Sequence, residues 1–158
     1  MTGQDLDLLD AIQIAMEAEQ KAAALYADAA EKTRNPLGRR LFEQLAEFER
    51  HHYDKLVDLE KSLRGKGAFA GYEGRELSMQ VPGEVGSINE AEKMSAMAII
   101  TMAIDIEREA ENRYSGLAEQ TTDPTVESMF KQLAEEEHSH YLILSDAYWS
   151  LNNRGVWA

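Results

Sequence analysis

Six residues of metal-ligand type occur in this chain as two matching sets of three. The first set is Glu19, Glu49 and His52, and the second, 88 positions later, is Glu107, Glu137 and His140. Each set is a single Glu followed along the chain by a Glu-x-x-His motif. Carboxylate oxygens and imidazole nitrogens are ligands that suit divalent iron and its neighbours. One Glu from each of two helices, with Glu-x-x-His from two others, is the pattern of a two-metal carboxylate centre.

The two sets belong to a longer internal repeat. Residues 13–56 align without a gap on residues 101–144, with 17 identities in 44 positions. The segment LFEQLAEFERHHY returns as MFKQLAEEEHSHY, and the junction Asn35-Pro36 returns as Asp123-Pro124. Two unrelated amphipathic helices would share their apolar phase, but not these residues in register. The repeat therefore predicts two copies of one helical hairpin, kept either for a metal site or for packing alone.

Four long helical patterns fill most of the chain, which we interpret as one domain over 1–158. Apolar residues recur at three- and four-residue spacing and predict helices at about 4–32, 36–64, 88–120 and 124–151. Asn35 and Asp123 are good N-caps with proline at the first helical position. Ser87, with Glu90 three residues later, predicts a capping box at the third helix.

A glycine-rich connector over residues 65–86 separates the two hairpins and holds six of the ten glycines. It is longer than loops in compact domains usually are. We expect it to cross the bundle and to start the second hairpin near the end where the first hairpin started. The predicted fold is all-α: a four-helix bundle of two antiparallel hairpins joined by one long crossover, as in ferritin-like folds.

The repeat places the ligand-type residues at one height in the bundle. Glu19 and Glu49 lie 14 to 16 residues from the first turn, so each is roughly 22 Å from it along its helix. The second hairpin has the same relation, and each His shares a helix face with the Glu three residues before it. Four buried carboxylates repel one another, and two divalent cations would cancel their charge. The alternative is a structural bundle with a vestigial site.

Tyr26 and Tyr114 lie seven residues after the lone glutamates, on the same helix faces. Each is either a core aromatic residue or a donor that orients a ligand carboxylate. No other residue suggests a catalytic role. Ala22 and Ala110, one turn beyond the lone glutamates, either ease helix packing or leave room for a small oxidant. Four further candidates point away from the predicted metal face, and we expect them at the rim or surface: His51, His138, Glu47 and Glu135.

The composition excludes several classes of function. The formal net charge of −13 disfavours nucleic acids and anionic membranes as partners. There is no cysteine, which excludes disulfides, iron–sulfur clusters and cysteine-ligated zinc. No stretch approaches the roughly 20 apolar residues of a membrane span. The acidic N-terminus is unlike a secretory signal, so we expect a cytoplasmic protein.

At these residues the chain resembles the rubrerythrin branch of the ferritin-like superfamily, over about Leu8 to Trp149. The resemblance rests on Glu19 with Tyr26, the segment Glu49–His52, Glu107 with Tyr114, and the segment Glu137–His140. It implies two iron ions, for which manganese or zinc could substitute. Glu49 and Glu137 would bridge the ions, Glu19 and His52 would complete one site, and Glu107 and His140 the other.

Two departures from the family pattern bear on the activity. Rubrerythrins carry a cysteine-ligated iron domain that feeds in electrons, so here the donor must be a separate, rubredoxin-like protein. They also carry an additional Glu where this chain has Ala110, while Glu111 is one residue out of phase. The site therefore resembles the more symmetric bacterioferritin type.

Three reactions remain open at this point. The resemblance implies reduction of hydrogen peroxide, or reaction with O2, in protection against oxidative stress. Oxidation and handling of Fe(II), as in ferritins, is the first alternative, and hydroxylation of an organic substrate is the second. We expect a homodimer, because a short bundle with a long crossover can exchange helices between chains.

Overall fold

The computed structural model describes residues 3–65, 69, 71–77 and 88–157. These residues form four helices and no strands: α1 (Gly3–Lys32), α2 (Pro36–Leu63), α3 (Glu90–Gln120) and α4 (Pro124–Arg154). The predicted all-α class and four-helix bundle are confirmed. Within the described residues, no helix has the length and hydropathy of a membrane span.

The two hairpin turns are built from the repeated Asx-Pro junction. The Asn35 side chain accepts hydrogen bonds from the backbone amides of Leu37 and Gly38. Asp123 accepts the equivalent bonds from Thr125 and Val126. In both turns the side chain satisfies amides that the first helical turn leaves without partners.

The start of α3 differs from the predicted capping box. The N-cap is Asn89, whose side chain accepts a hydrogen bond from the Glu92 amide at 2.8 Å. The helix therefore begins at Glu90, and a start at Ser87 is wrong; Ser87 itself lies outside the described residues. Asn is at least as good an N-cap as Ser, so the helix begins after Asn89 rather than two residues earlier.

The crossover connects opposite ends of the bundle. The α1–α2 turn, Thr33 to Asn35, lines one pocket together with Ile88 and Asn89 before α3. At the other end, Leu63 shares a pocket with Asp7 and the α3–α4 turn. The second hairpin thus starts at the end opposite to the start of the first, and the predicted end was wrong. α2 had already returned the chain to its starting end.

Two apolar clusters fill the bundle, one towards each end. Tyr26 stacks on Phe42 in the first with ring centroids 6.4 Å apart. Tyr114 stacks on Phe130 in the second at 6.3 Å. The two stacks occupy equivalent places in the repeat, so the duplication extends to the packing of the core.

A tryptophan after α4 covers the first cluster. Trp157, after α4, packs edge-on against Phe42 at 5.8 Å and lies over Gly38 of α2. A Cβ at Gly38 would lie 2.6 Å from two atoms of the indole ring, so only glycine allows this approach. The equivalent residue of the second hairpin is Val126, which is buried.

The described crossover segment, residues 71–77, runs along α4. Gly71 lies against Thr125 near the start of α4, and Gly74 lies against Gln132 two turns later. Both glycines have positive φ, at 88° and 100°, which other residues rarely adopt. The segment therefore follows α4 from its beginning towards its middle. Its own Tyr72 side chain is buried.

Candidate metal centre

The six residues predicted as ligands come together in one layer between the two apolar clusters. All six are at most 2% exposed. They form two overlapping groups whose ligand atoms lie within 4.8 Å of one another: Glu19, Glu49, His52 and Glu137 in one, and Glu49, Glu107, Glu137 and His140 in the other. Two glutamates, one from each Glu-x-x-His motif, belong to both groups. The two shared glutamates could therefore contact a cation held by either group.

Both imidazoles turn their Nδ1 atoms towards the carboxylates. The Nδ1 of His52 lies 2.8 Å from Glu137 Oε1 and 3.6 Å from Glu19 Oε1. The Nδ1 of His140 lies 3.4 Å from Glu49 Oε1 and 3.6 Å from Glu107 Oε2. The two rings are nearly parallel, with centroids 6.2 Å apart. Each group therefore offers one imidazole nitrogen through the same ring atom.

The chemistry of the layer fits a pair of cations. Within the described residues, eight oxygen and nitrogen atoms of these six side chains are buried without a hydrogen-bond partner. Leaving charged groups in this condition is unfavourable by on the order of several kcal/mol per ion. Divalent cations would give all of these atoms except His52 Nε2 a partner and would neutralise the carboxylates. Oxygen and imidazole donors without sulfur suit iron, manganese or zinc.

The protonation of the layer follows from its burial. Burial, together with the charge of Glu49, holds the pKa of Glu19 well above its usual value. Burial and the neighbouring carboxylates do the same to the pKa of Glu137. Burial alone would also raise the pKa of Glu49, but hydrogen bonds with Glu19, His140 and His52 hold it well below its usual value. Without cations, Glu19 and Glu137 therefore keep their protons to a higher pH than ordinary glutamates do.

The histidines also hold protons in the absence of cations. Burial lowers the pKa of each imidazole, but the surrounding carboxylates outweigh it. The pKa of His52 is raised through Glu136, Glu137 and Glu19. That of His140 is raised to about 9 through Glu107 and Glu49. A cation that binds through Nδ1 must therefore displace a proton from each ring.

Each tyrosine donates a hydrogen bond to a lone glutamate of the other hairpin. The Tyr26 hydroxyl donates to Glu107 Oε1 at 2.6 Å, and the Tyr114 hydroxyl donates to Glu19 Oε1. Burial and these carboxylates raise the pKa of both tyrosines, so both stay protonated as donors. The tyrosines are at once core aromatic residues and partners of candidate ligands, and they tie the hairpins together.

Glu136 is a buried carboxylate of the site that the sequence interpretation missed. It accepts hydrogen bonds from the Tyr72 hydroxyl at 2.5 Å and from the Arg75 amide at 2.8 Å. Its other oxygen lies 3.7 Å from His52 Nε2. The first copy of the repeat has Phe48 at this position. A charged residue at a phase where its repeat partner is apolar was the available signal.

The four residues expected at the rim or surface lie outside both groups of candidate ligands: His51, His138, Glu47 and Glu135. His138 is half-exposed and pairs with Glu111 at 3.1 Å. Glu47 is exposed and pairs with Arg75 at 2.9 Å. His51 lies against the Tyr72 ring, and Glu135 is exposed. Glu111, the out-of-phase glutamate, is thus engaged at the surface.

A cavity of about 400 Å³ reaches the layer between α1 and α3. Its lining includes the candidate ligands Glu19 and Glu49 together with Ala22 and Ala110. On the α2–α4 side, the Arg75 guanidinium lies over the Phe48 ring at 5.6 Å. The layer is therefore open to small molecules between α1 and α3 and covered by the crossover segment on the other side.

Comparisons with known proteins agree with this architecture. A family profile described as Rubrerythrin matches residues 2–60 and 98–155, which comprise most of both hairpins. A solved structure of a hypothetical protein from Pyrococcus furiosus is similar in fold, with a TM-score of 0.73. The two chains are 23% identical, and the similarity covers 93% of this chain and 91% of that one. No curated protein sequence gives a significant match.

Proposed function

Because the chain belongs to the rubrerythrin family, we propose that it is a two-iron protein that reduces hydrogen peroxide or O2 with electrons from a separate donor. The observation that carries this proposal is the pair of overlapping four-residue groups in the buried layer. Metal binding by a Glu/His cluster is common to this superfamily; the oxidant, the donor and the role in oxidative stress are our proposal.

The six candidate ligands would hold the two ions in two overlapping sets. Glu49 and Glu137 are in both groups and would bridge, while Glu19 with His52, and Glu107 with His140, would complete the two sites. Four carboxylates carry the charge that two divalent ions neutralise, and neutral imidazoles add no charge. When bound, two ferrous ions would supply two electrons, which with two protons would reduce one hydrogen peroxide to two waters.

The surroundings of the layer favour a small oxidant. The cavity between α1 and α3 has alanine, at Ala22 and Ala110, where a larger side chain would fill it. Tyr26 and Tyr114 hold the lone glutamates at the edge of the layer in fixed orientations. The crossover segment and Phe48 keep water from the opposite side. The peroxide and its protons would thus arrive from the α1–α3 side.

We propose that the electrons come from a centre outside these 158 residues. The chain has no cysteine, so it cannot hold the iron–thiolate centre that feeds electrons in two-domain relatives. We propose a rubredoxin-like protein as the donor, a cytoplasmic location and a homodimer.

Oxidation of Fe(II) for iron handling is the second candidate. The observation that favours it is the presence of two further carboxylates, Glu17 and Glu109, at the cavity that reaches the layer. Carboxylates along such a path attract divalent cations. Lys21 and Arg113 line the same cavity and oppose this attraction, so we rank peroxide reduction first.

Stopped-flow oxidation of the Fe(II)-loaded protein separates the two reactions. The metal-free chain is loaded anaerobically, its iron content is measured, and it is mixed with hydrogen peroxide or with O2. Two irons per chain and faster oxidation by peroxide support the first proposal. Faster oxidation by O2, with repeated uptake beyond two irons per chain, supports iron handling instead. A chain that binds no iron contradicts both. Glu135→Gln, a change at an exposed residue two positions before the candidate ligand Glu137, is the matched control.

A further inference from the structure

The two halves of the metal centre differ at one buried position. In the half with His140, the repeat places Phe48, whose ring packs edge-on against the His140 ring at 4.5 Å. In the half with His52, it places Glu136, whose Oε2 faces His52 Nε2. Among the described residues, the carboxylates paired with His140 face its Nδ1 atom. A carboxylate behind the imidazole is thus a property of one half.

The crossover segment holds Glu136 in place. The Tyr72 hydroxyl and the Arg75 amide both donate to Glu136 Oε1, which leaves Oε2 directed at the imidazole. Gly74 allows the segment to lie directly against Gln132, one turn before Glu136 on α4. The Arg75 side chain extends to Glu47 on α2. The segment therefore fixes this carboxylate with contacts on two helices, and it has no counterpart in the repeat.

The position of Glu136 suits a particular role towards a bound cation. An imidazole that binds a cation through Nδ1 carries its proton on Nε2. A carboxylate that accepts this proton's hydrogen bond fixes the ring orientation and makes the ring a stronger ligand. The distance from His52 Nε2 to Glu136 Oε2 is 3.7 Å, so a shift of roughly 0.5–1 Å would complete the bond.

We propose that Glu136, held by the crossover segment, positions His52 and makes the half-site with Glu19 and His52 the stronger of the two. A single divalent cation then fills this half before the half with Glu107 and His140. Glu136 is a positioning residue that acts through His52. This inference rests on the proposed two-metal function, but it concerns the order and strength of binding rather than the reaction.

Titration with Zn2+ tests the inference without redox chemistry. The metal-free protein is titrated in a calorimeter at pH 8, and crystals grown with one Zn2+ per chain give the occupancy of each half by anomalous scattering. We expect two unequal binding steps and preferential occupancy of the half with His52. Glu136→Gln should weaken the first step by about 10- to 100-fold and remove the preference. Its amide nitrogen cannot accept from Nε2, while its oxygen can still accept from Tyr72.

Glu135→Gln is the matched control, because it makes the same change at the preceding, exposed residue and should leave both steps unaltered. Tyr72→Phe removes one of the two donors to Glu136 and should weaken the first step by less than Glu136→Gln does. In the Zn2+-loaded protein, the nitrogen NMR signal of His52 should show a proton on Nε2.

The outcomes distinguish this inference from the proposed function. Two equal steps, or a Glu136→Gln variant that binds as the unchanged protein does, overturn the inference and leave the two-metal function intact. Preferential filling of the half with His140 also overturns it. A protein that binds no Zn2+ and no Fe(II) overturns both. Unequal steps that Glu136→Gln equalises support the inference even when peroxide does not oxidise the iron-loaded protein.

Discussion

The two halves of the buried layer share their candidate ligands and differ in what lies behind them. Each half has a lone glutamate, a shared glutamate, an imidazole whose Nδ1 atom faces the carboxylates, and a tyrosine from the opposite hairpin. Behind His52 lies Glu136, tied to the crossover segment, whereas Phe48 packs against His140. The repeated helices thus supply matching candidate ligands but differ at Phe48 and Glu136, and the unrepeated connector holds Glu136 in place. A duplicated sequence predicts the positions of the candidate ligands well and their environment less well.

The largest expected effect comes from replacing either of the two glutamates that both halves share. Glu49→Gln should abolish binding of at least one iron per chain, because a residue common to both groups loses charge and one ligand oxygen. Glu137→Gln should cause an equal loss, since it is the equivalent residue. Iron content after anaerobic loading and desalting measures both effects. Glu135→Gln should retain two irons per chain, and two irons in Glu49→Gln would contradict the assignment of the shared ligands.

Acid should weaken both halves, because each imidazole must lose a proton before its Nδ1 can bind a cation. In the metal-free protein the pKa of His140 is about 9, so this ring is protonated at neutral pH. In the half with His140, affinity for Zn2+ should therefore fall by about tenfold per pH unit below pH 9 through the displacement of this proton. Calorimetry in buffers of different ionisation enthalpy measures the protons released. Affinity that is constant between pH 6 and pH 8 would contradict this protonation.

Replacing either tyrosine by phenylalanine should destabilise the protein to the same, moderate extent. Tyr26→Phe removes the donor to Glu107, and Tyr114→Phe removes the donor to Glu19. Each should lower the free energy of unfolding by about 1–3 kcal/mol, because loss of the donor leaves a buried carboxyl oxygen without a hydrogen-bond partner. Urea unfolding of the two variants at neutral pH measures the change. Clearly different losses would show that the inequality of the halves extends to α1 and α3.

The smallest effect is expected at the out-of-phase glutamate of α3. Glu111 pairs with His138 at the surface, and such pairs contribute less than about 1 kcal/mol. Glu111→Ala should leave the iron content at two per chain and the unfolding midpoint nearly unchanged. Loss of an ion in this variant would mean that Glu111 turns inwards to replace the carboxylate that Ala110 lacks.

The local and repeated features were the ones that the sequence could predict. Helical periodicity and the Asx-Pro caps depend on near neighbours, and the match at 88 positions placed six side chains in one layer. That these six bind metal stays a prediction. The start of α3 was misjudged because Ser87 and Asn89 offer competing caps two residues apart. Local signals of this kind do not decide between neighbouring positions.

The features that the sequence did not predict depend on contacts distant along the chain. Tyr72 and Arg75 meet Glu136 across more than 60 residues, and the connector has no periodicity that would orient it. Glu136 stands directly before a predicted ligand in a run of three glutamates, where a solvated charge is the ordinary interpretation. The direction of the crossover could have been deduced, because α2 already returns the chain to its starting end.

The short Asx-Pro turns also have a consequence for the order of folding. Each hairpin closes over a few residues, so its helices can pair early and with little loss of chain entropy. Docking of the two hairpins then encloses the polar layer, and this late step must bring together carboxylates and imidazoles that hold protons. We therefore expect Zn2+ to accelerate the slow refolding phase while leaving the fast helical phase unchanged. Stopped-flow circular dichroism with and without Zn2+ would reveal this, and an unchanged slow phase would count against late docking.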